Sequence, residues 1–455
     1  MYNINQLFEA KTLEAVNVIH QFLGDGSITI KHPTLDVPTF PRESKISGMS
    51  NIILFSDEAL DNHWYYIQVT KLIDGYYVPN DKFFNPKNKP DVLKAKKAID
   101  STSLQFDLKS ASIKIDGLVF SQTRPYHYFY DQFVNYYKLS AIKNIDKYCF
   151  TNETCFYSKT ESTSFDLITD NGCYFFPCII PGNYQDDDAK KMHQFLKKNS
   201  FKVKNENEFS LWLGITGQKR SWVEQVDGYV EIIKMLGNLY NDITVVIDGW
   251  TNFENDNSVN VEDNDVYYLI EDKFINTPSV SLINLINKDY KSKITHANNC
   301  DYFIANSGTG CMVPFMIANI KGVIHGNGQL DTFLGSYNEN IRTVPKEKIN
   351  AESSGLIMND SYSIRWEVIY NLLMDLMGVN ERLDEPKLQP DSKIILSQLT
   401  FSNKTQPADA LREMALAFKK IGDKNTAYTL MCKALEQRPD GSFIKEKVKE
   451  WSNEC

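Results

Sequence analysis

The chain has 455 residues, 42% hydrophobic and 24% charged, a balance that argues against extensive disorder and supplies enough apolar material for two or three domains. Its formal net charge of −9 excludes nucleic acid as the expected principal partner, because such binders carry a basic excess. The opening residues lack a basic stretch followed by an unbroken apolar core, no apolar run is long enough to span a bilayer, and the eight cysteines form no CxxC pair. A cytoplasmic protein with free thiols is therefore expected.

In chain order, "SITIKH", "NIILFS", "HWYYIQVT", "SIKIDGLVF", "DKYCF" and "GCYFFPCII" read as strands separated by turn residues. A helix is expected after "SIKIDGLVFSQ", capped by Thr123, with Pro125 in its first turn and apolar residues through Leu139. The charged stretch from Gly182 to Glu208 reads as one linking helix at a domain boundary. From Glu208 the pattern becomes regular. The strands "FSLWLGIT", "ITVVIDGW", "SVSLINLI", "DYFIA" and "KGVIHGN" alternate with helices, among them "SKITHANN", "TGCMVPFMIAN" and one opened by a Ser221/Glu224 capping box. Such alternation predicts βαβ units and a parallel sheet covered on both faces. "SIRWEVIYNLLMDLM" is a further helix. The tail reads as a helical hairpin in which Ala415, Phe418, Gly422, Ala427, Ala434 and Pro439 fall on tetratricopeptide spacing.

Several residues at expected strand ends have the chemistry to hold an anion. In "GITGQKRSW", Gly214 and Gly217 lie beside Lys219 and Arg220, so free N–H groups and two cations meet at one turn. Asn306, Ser307, Gly308, Thr309 and Gly310 form a second small-residue turn, where hydroxyls and N–H groups suit phosphate or sugar oxygens. It matches neither the Walker loop nor G-x-G-x-x-G. Asp248 could bond a ribose or sugar hydroxyl, with Trp250 stacking on a ring; a plain Asp-Gly turn explains the same residues. His296 and His325 fall near the same set of strand ends. In the first half, His127 and Asp131 are one helical turn apart, so the carboxylate could orient the imidazole or either could act as a general base. Arg124 at the helix start adds a cation for an anionic acceptor. No G-x-S-x-G elbow, catalytic-cysteine signature, H-E-x-x-H pair or strand-end DxD motif is present.

Over roughly residues 100 to 380 the arrangement of "RPYHYFYDQ", "LWLGITGQKRSW", "VVIDGW" and "DYFIANSGTGCMVPFMIANIKGVIHGN" resembles bacterial glycosyltransferases of the GT-B fold that build capsule or lipopolysaccharide glycans. The resemblance implies an α/β fold with two Rossmann-like domains facing a cleft, plus a short helical extension. It implies an acceptor-side domain over residues 1–200, a nucleotide-sugar domain over 201–385 and a tail over 400–455. Lys219, Arg220, Ser307, Gly308 and Thr309 would hold the donor phosphates, His127 or Asp131 would be the acceptor-side base, and the helix around Trp366 would close back toward the first domain. No metal or cofactor is implied beyond the nucleotide-sugar substrate. The acceptor would be a glycan, lipid-linked glycan or protein, at the membrane surface or away from it. The E-x-x-x-x-x-x-E donor motif of retaining members is absent, which favours an inverting displacement. A sugar-nucleotide epimerase or hydrolase on the same architecture, and a non-catalytic interaction protein using its tail to pair copies or dock a partner, are the rival readings.

Overall fold

A computed structural model describes residues 1–24, 29–101, 103–107, 115–142, 148–150, 155–157, 172–178, 185–198, 209–217, 220–328, 339–351, 361–385, 407–420 and 423–452. Among these residues no helix is long and apolar enough to cross a membrane.

The first hundred residues build an antiparallel sheet rather than βαβ units. Strands β1 (Ile30–Lys31), β2 (Pro38–Ser47), β3 (Ser50–Ser56), β4 (His63–Gln68), β5 (Gly75–Val78) and β6 (Lys82–Phe84) pair in sequence order. Aromatic and β-branched residues dominate β3 and β4, as a sheet covered on both faces requires. Ile52 and Ile67 meet Val92 and Ala95 of the helix Pro90–Asp100. Ile53, Phe55, Trp64 and Tyr66 face the opposite way, toward the helix Thr12–Gly24. A smaller parallel sheet follows, with β7 (Gly117–Phe120) between β8 (Tyr148–Phe150) and β9 (Tyr174–Phe175).

The second half is a doubly wound unit. Strands β10 (Phe209–Gly214), β11 (Ile243–Asp248), β12 (Val280–Asn284), β13 (Tyr302–Asn306), β14 (Lys321–His325) and β15 (Ile341–Thr343) lie in the order β12-β11-β10-β13-β14-β15, all parallel. Successive residues of a strand point to opposite faces. Trp212, Val246, Phe303 and Ile324 accordingly join one apolar core, while Leu211, Leu213, Val245, Ile247, Ile304 and Val323 join another. The strand order reverses between β10 and β13, and in such sheets ligands sit outside the carboxyl ends at that reversal.

The two halves share a core. The cluster that takes in Trp212 and Phe303 continues through Phe129, Tyr157, Met192 and the helix Thr12–Gly24. The expected linking helix forms at Asp187–Lys198, yet its Ala189, Met192 and Leu196 are buried in this cluster, and His193 Nε2 lies 2.9 Å from the Tyr130 hydroxyl. Its charges suit a helix, with Asp187 and Asp188 in the first turn and Lys197 and Lys198 in the last.

Four local expectations are corrected. The helix after β7 begins at Pro125, but Arg124 rather than Thr123 is its N-cap, with no side-chain cap bond. Ser221 and Glu224 form no capping box: the helix starts at Gln225, and the Ser221 hydroxyl instead meets that of Ser361 at 3.0 Å. "TGCMVPFMIAN" folds as a 3₁₀ turn, Thr309–Cys311, and a π-turn, Met312–Ile317, in which Ala318 N–H donates to the Val313 carbonyl. Pro314 has no N–H to give to an α-helical ladder. The helix Trp366–Met377 packs on β14, β15 and the helix Gln225–Gly237, and its Val368, Ile369 and Leu373 are buried in the second core rather than against the first half.

The described residues of the tail form three helices, Pro407–Lys420, Lys424–Gln437 and Ser442–Trp451. Ala415, Phe418, Ala427 and Ala434 are buried together with Met431, Ile444 and Trp451 in a core of their own. Gly422 lies outside the described residues.

Candidate active site at the carboxyl rim of the parallel sheet

The turns after β10 and β13 converge. Parallel pairing of the two strands brings their C-terminal ends side by side, so Arg220 and Gly308 meet although they are distant in the chain. A methyl built on Gly308 would lie 3.5 Å from Arg220 Nη1. Gly308 has φ +94° and ψ −139°, a region essentially confined to glycine. Gly310 is needed for another reason: a Cβ there would collide with Asn306 Oδ1. Replacing Gly308 by Ala should cost about 1–3 kcal/mol of stability through backbone strain; an unchanged denaturation midpoint would contradict that reading.

Arg220 is itself in the left-handed region, at φ +55°. Its Nε is buried and has no hydrogen-bond partner among the described residues. Ser307 N–H donates to the His325 carbonyl at 2.7 Å, which fixes the start of the turn, and Thr309 is exposed. Lys219 lies outside the described residues.

Two residues that sequence reasoning missed brace this rim. Asp263 receives the N–H of Gly217 at Oδ1 and that of Trp250 at Oδ2, both at 2.6 Å, and so ties the β10 turn to the β11 turn. Burial raises its pKa, and those two N–H groups pull it back. Lys293, fully buried, sits 2.5 Å from Asp248 Oδ1, a close ion pair outside good hydrogen-bond alignment. Its ammonium donates to Thr251 Oγ1 at 2.7 Å and to the carbonyls of Gly249 and Trp250 at 3.0 and 3.1 Å. Asp248 is therefore an internal brace rather than an open hydroxyl ligand. It is 6% exposed, burial raises its pKa, and Lys293 opposes that rise. Trp250 is half exposed beside it. Neither partnership has a local signal in the sequence, since the contacts join different βα units.

The histidines divide. His325 ends β14 at this rim but is buried, and burial pushes its pKa down to about 3. Its Nε2 lies 3.1 Å from the Tyr229 hydroxyl and its Nδ1 2.7 Å from that of Tyr362. His296 is near the end of the helix Tyr290–Ala297, which runs away from the rim, and its Nδ1–H donates to the Ser292 carbonyl at 2.9 Å. The expectation that it joins the strand ends is corrected.

Across from these turns, the carboxyl end of the first half's parallel sheet meets the same rim. Phe156, beyond β8, packs on Phe253 with centroids 4.3 Å apart, and the Cys155 carbonyl accepts the Glu254 N–H at 2.7 Å. Phe129, beyond β7, packs edge-on against Tyr290 at 4.9 Å. Just before Phe129, His127 Nδ1 lies 2.7 Å from Asp131 Oδ2, with the imidazole 36% and the carboxylate 7% exposed. Since a carboxylate only accepts, Nδ1 carries a proton toward Asp131, and in the neutral imidazole Nε2 holds the lone pair. Arg124 is exposed at the same turn. The backbone here is unusual: from Tyr128 to Phe133 the helix is a π-turn, a form frequent at functional sites.

No protein-family model matches the chain, and no curated protein matches it in sequence. Among solved structures it is similar to the ADP-heptose LPS heptosyltransferase II of E. coli, at 10% identity over 58% of this chain and 75% of that one, with a TM-score of 0.27. The UDP-GlcNAc 2-epimerase of Methanocaldococcus jannaschii aligns at 11% identity over 68% and 82%, with a TM-score of 0.29. The trehalose-6-phosphate synthase OtsA aligns at 10% over 78% and 65%, with a TM-score of 0.25. Likenesses this slight carry no argument about fold or activity. A cavity of about 400 Å³, lined by Asp301, Tyr302, Asn319 and Lys321 among others, opens at the opposite edge of the sheet and takes no part in the site.

Proposed function

We propose that the protein is a glycosyltransferase of the GT-B type, moving a sugar from a nucleotide-sugar donor to a glycan, lipid-linked glycan or protein acceptor. One observation carries the reading: Arg220 reaches the Gly308 turn at the carboxyl ends of β10 and β13, so a cation and a turn of small residues converge on one point. On this reading residues 1–200 take the acceptor, residues 201–385 take the donor, and the tail over 400–455 is accessory.

The chemistry follows from the placement. The acceptor oxygen attacks the anomeric carbon as its bond to the donor phosphate breaks. The acceptor proton passes to His127 Nε2, and Asp131 steadies the imidazolium that forms. The electron pair of the broken bond leaves with the diphosphate. Arg220, Lys219, the N–H groups near Gly308 and Gly310, and the hydroxyls of Ser307 and Thr309 meet that charge, with Asn306 and Gly217 shaping the two turns. Cations of the chain thus do the neutralising, in a metal-independent, inverting displacement. Trp250 offers a ring for stacking, and Arg124 a cation to an anionic acceptor.

Calorimetric titration with ADP, GDP and UDP tests the donor side. Arg220→Ala should weaken the preferred diphosphate by about 1.5–3 kcal/mol, the range for a charge-assisted hydrogen bond. Equal affinity in the variant would remove Arg220 from the site, and a wild type that binds no nucleotide would sink the reading. Release of nucleoside diphosphate from a nucleotide sugar only when a glycan is supplied would separate transfer from hydrolysis or epimerisation.

A further inference from the structure

We infer that Lys71 and Lys87 bind a phosphate group of the acceptor, at the rim that carries His127. The inference names the acceptor's chemistry and rests on the acceptor-side reading above. Neither lysine belongs to a motif, and the fold brings them together from two loops of the antiparallel sheet.

The first loop, between β4 and β5, is built around Asp74. Its buried carboxylate takes the N–H groups of Val69, Thr70 and Lys71 at Oδ2, at 2.6, 2.8 and 3.0 Å. The second loop, between β6 and the helix Pro90–Asp100, is closed by Asn85. Its Oδ1 accepts the Lys89 N–H at 2.9 Å, and its Nδ2 donates to the Lys89 carbonyl at 3.0 Å. Lys89 then pins one loop to the other, since its ammonium donates to Asp74 Oδ1 at 2.6 Å and to Thr70 Oγ1 at 2.5 Å. With three N–H groups and one ammonium, the Asp74 carboxylate is filled. Among the described residues no carboxylate pairs with Lys71 or Lys87. Burial lowers the Lys71 pKa, and contact with the Lys87 ammonium lowers it further. Like charges held this close repel, and an anion bound by both removes the repulsion.

Strand register places these loops on the acceptor side. β9 runs parallel to β7, with Phe175 opposite Leu118, so the residues that follow each strand emerge at one edge. Arg124 and His127 follow β7. After β9, the Phe176 N–H donates to Gln68 Oε1 at 2.9 Å, and the Cys178 thiol reaches the Val69 carbonyl at 3.9 Å. The chain therefore leaves β4 beside Cys178 and passes at once into Thr70 and Lys71. Burial raises the Cys178 pKa, and Asp131 and Asp74 both lie near enough to add to that rise. Lysine holds phosphate as a point charge and lacks the planar fork that reads a carboxylate. A phosphodiester within a glycan and the diphosphate of a lipid-linked one present the same oxygens to the pair.

Calorimetric titration with inorganic pyrophosphate, run with the preferred nucleoside diphosphate at saturation, tests this site apart from Arg220. The wild type should bind, and Lys71→Gln combined with Lys87→Gln should bind about tenfold more weakly, the scale of one charge-assisted hydrogen bond. In turnover assays the double variant should show a KM about tenfold higher for a phosphate-bearing glycan and no such rise for the same glycan without phosphate. A soluble phosphodiester glycan and a lipid-linked diphosphate, assayed separately, show which source the pair takes. Equal pyrophosphate binding by wild type and variant, or an equal KM change for both glycans, would overturn the site. So would wild-type binding to phosphatidylglycerol vesicles without binding to pyrophosphate, which would make the pair a membrane contact. A wild type that binds pyrophosphate but transfers sugar to no glycan would overturn the transferase reading and the acceptor assignment with it. Should the double variant not fold, Lys87→Gln alone, at an exposed position, must show part of the same loss.

Discussion

Replacing His127 by Ala is expected to lower turnover by about 10²–10⁴-fold, the span for losing a positioned general base. The imidazole is partly open while Asp131 is nearly closed off, so Nε2 is the basic atom an acceptor hydroxyl can reach. Diphosphate affinity should not move, because the cations proposed to hold it belong to the other half. Asp131→Asn should also slow turnover, since an amide can equally well favour the wrong tautomer. Full activity in His127→Ala would pass the role to Asp131. Full activity in both variants would remove the pair from the mechanism.

Lys293→Met should destabilise the protein by about 3–5 kcal/mol, the cost of removing one partner from a buried ion pair. Thr251 Oγ1 and the carbonyls of Gly249 and Trp250 lose a donor, and the Asp248 carboxylate is left buried without its cation. The pH dependence has a definite sign. Burial raises the Asp248 pKa above its unfolded value, so its contribution is fully present below the unfolded pKa and is lost as pH rises through the folded one. Without Lys293 the upward shift is larger. The deficit of the variant should therefore be smallest in acid and grow toward neutral pH. Urea denaturation across that range measures it. A deficit that does not depend on pH would mean Asp248 is not the group left without its partner. Lys293→Met combined with Asp248→Asn should recover part of the stability, because the orphaned charge goes with it.

Much of the second half was legible in the sequence. "FSLWLG", "ITVVID" and "DYFIA" are short apolar runs between helical stretches, and their length, with aromatic or β-branched residues, marks them as strands buried on both faces. The His127–Asp131 contact was legible too, because i,i+4 neighbours on a helix meet whatever the rest of the chain does. Local signals failed where a distant partner competed. Ser221 looked like a cap until Ser361 took its hydroxyl, and Asp248 looked open until Lys293 filled the space beside it. The helix at Trp366 carries an apolar stripe, but a stripe does not name its partner; β14, β15 and the helix Gln225–Gly237 do.

The sequence by itself determined which segments become strands and helices, and which turns carry glycines, hydroxyls and cations, because those properties depend on residues within a few positions of one another. Only the tertiary structure decided that Arg220 meets Gly308 and that Asp263 and Lys293 brace the rim. Strand order and parallel register set those meetings, and they are fixed by burial across the whole sheet rather than by any local pattern.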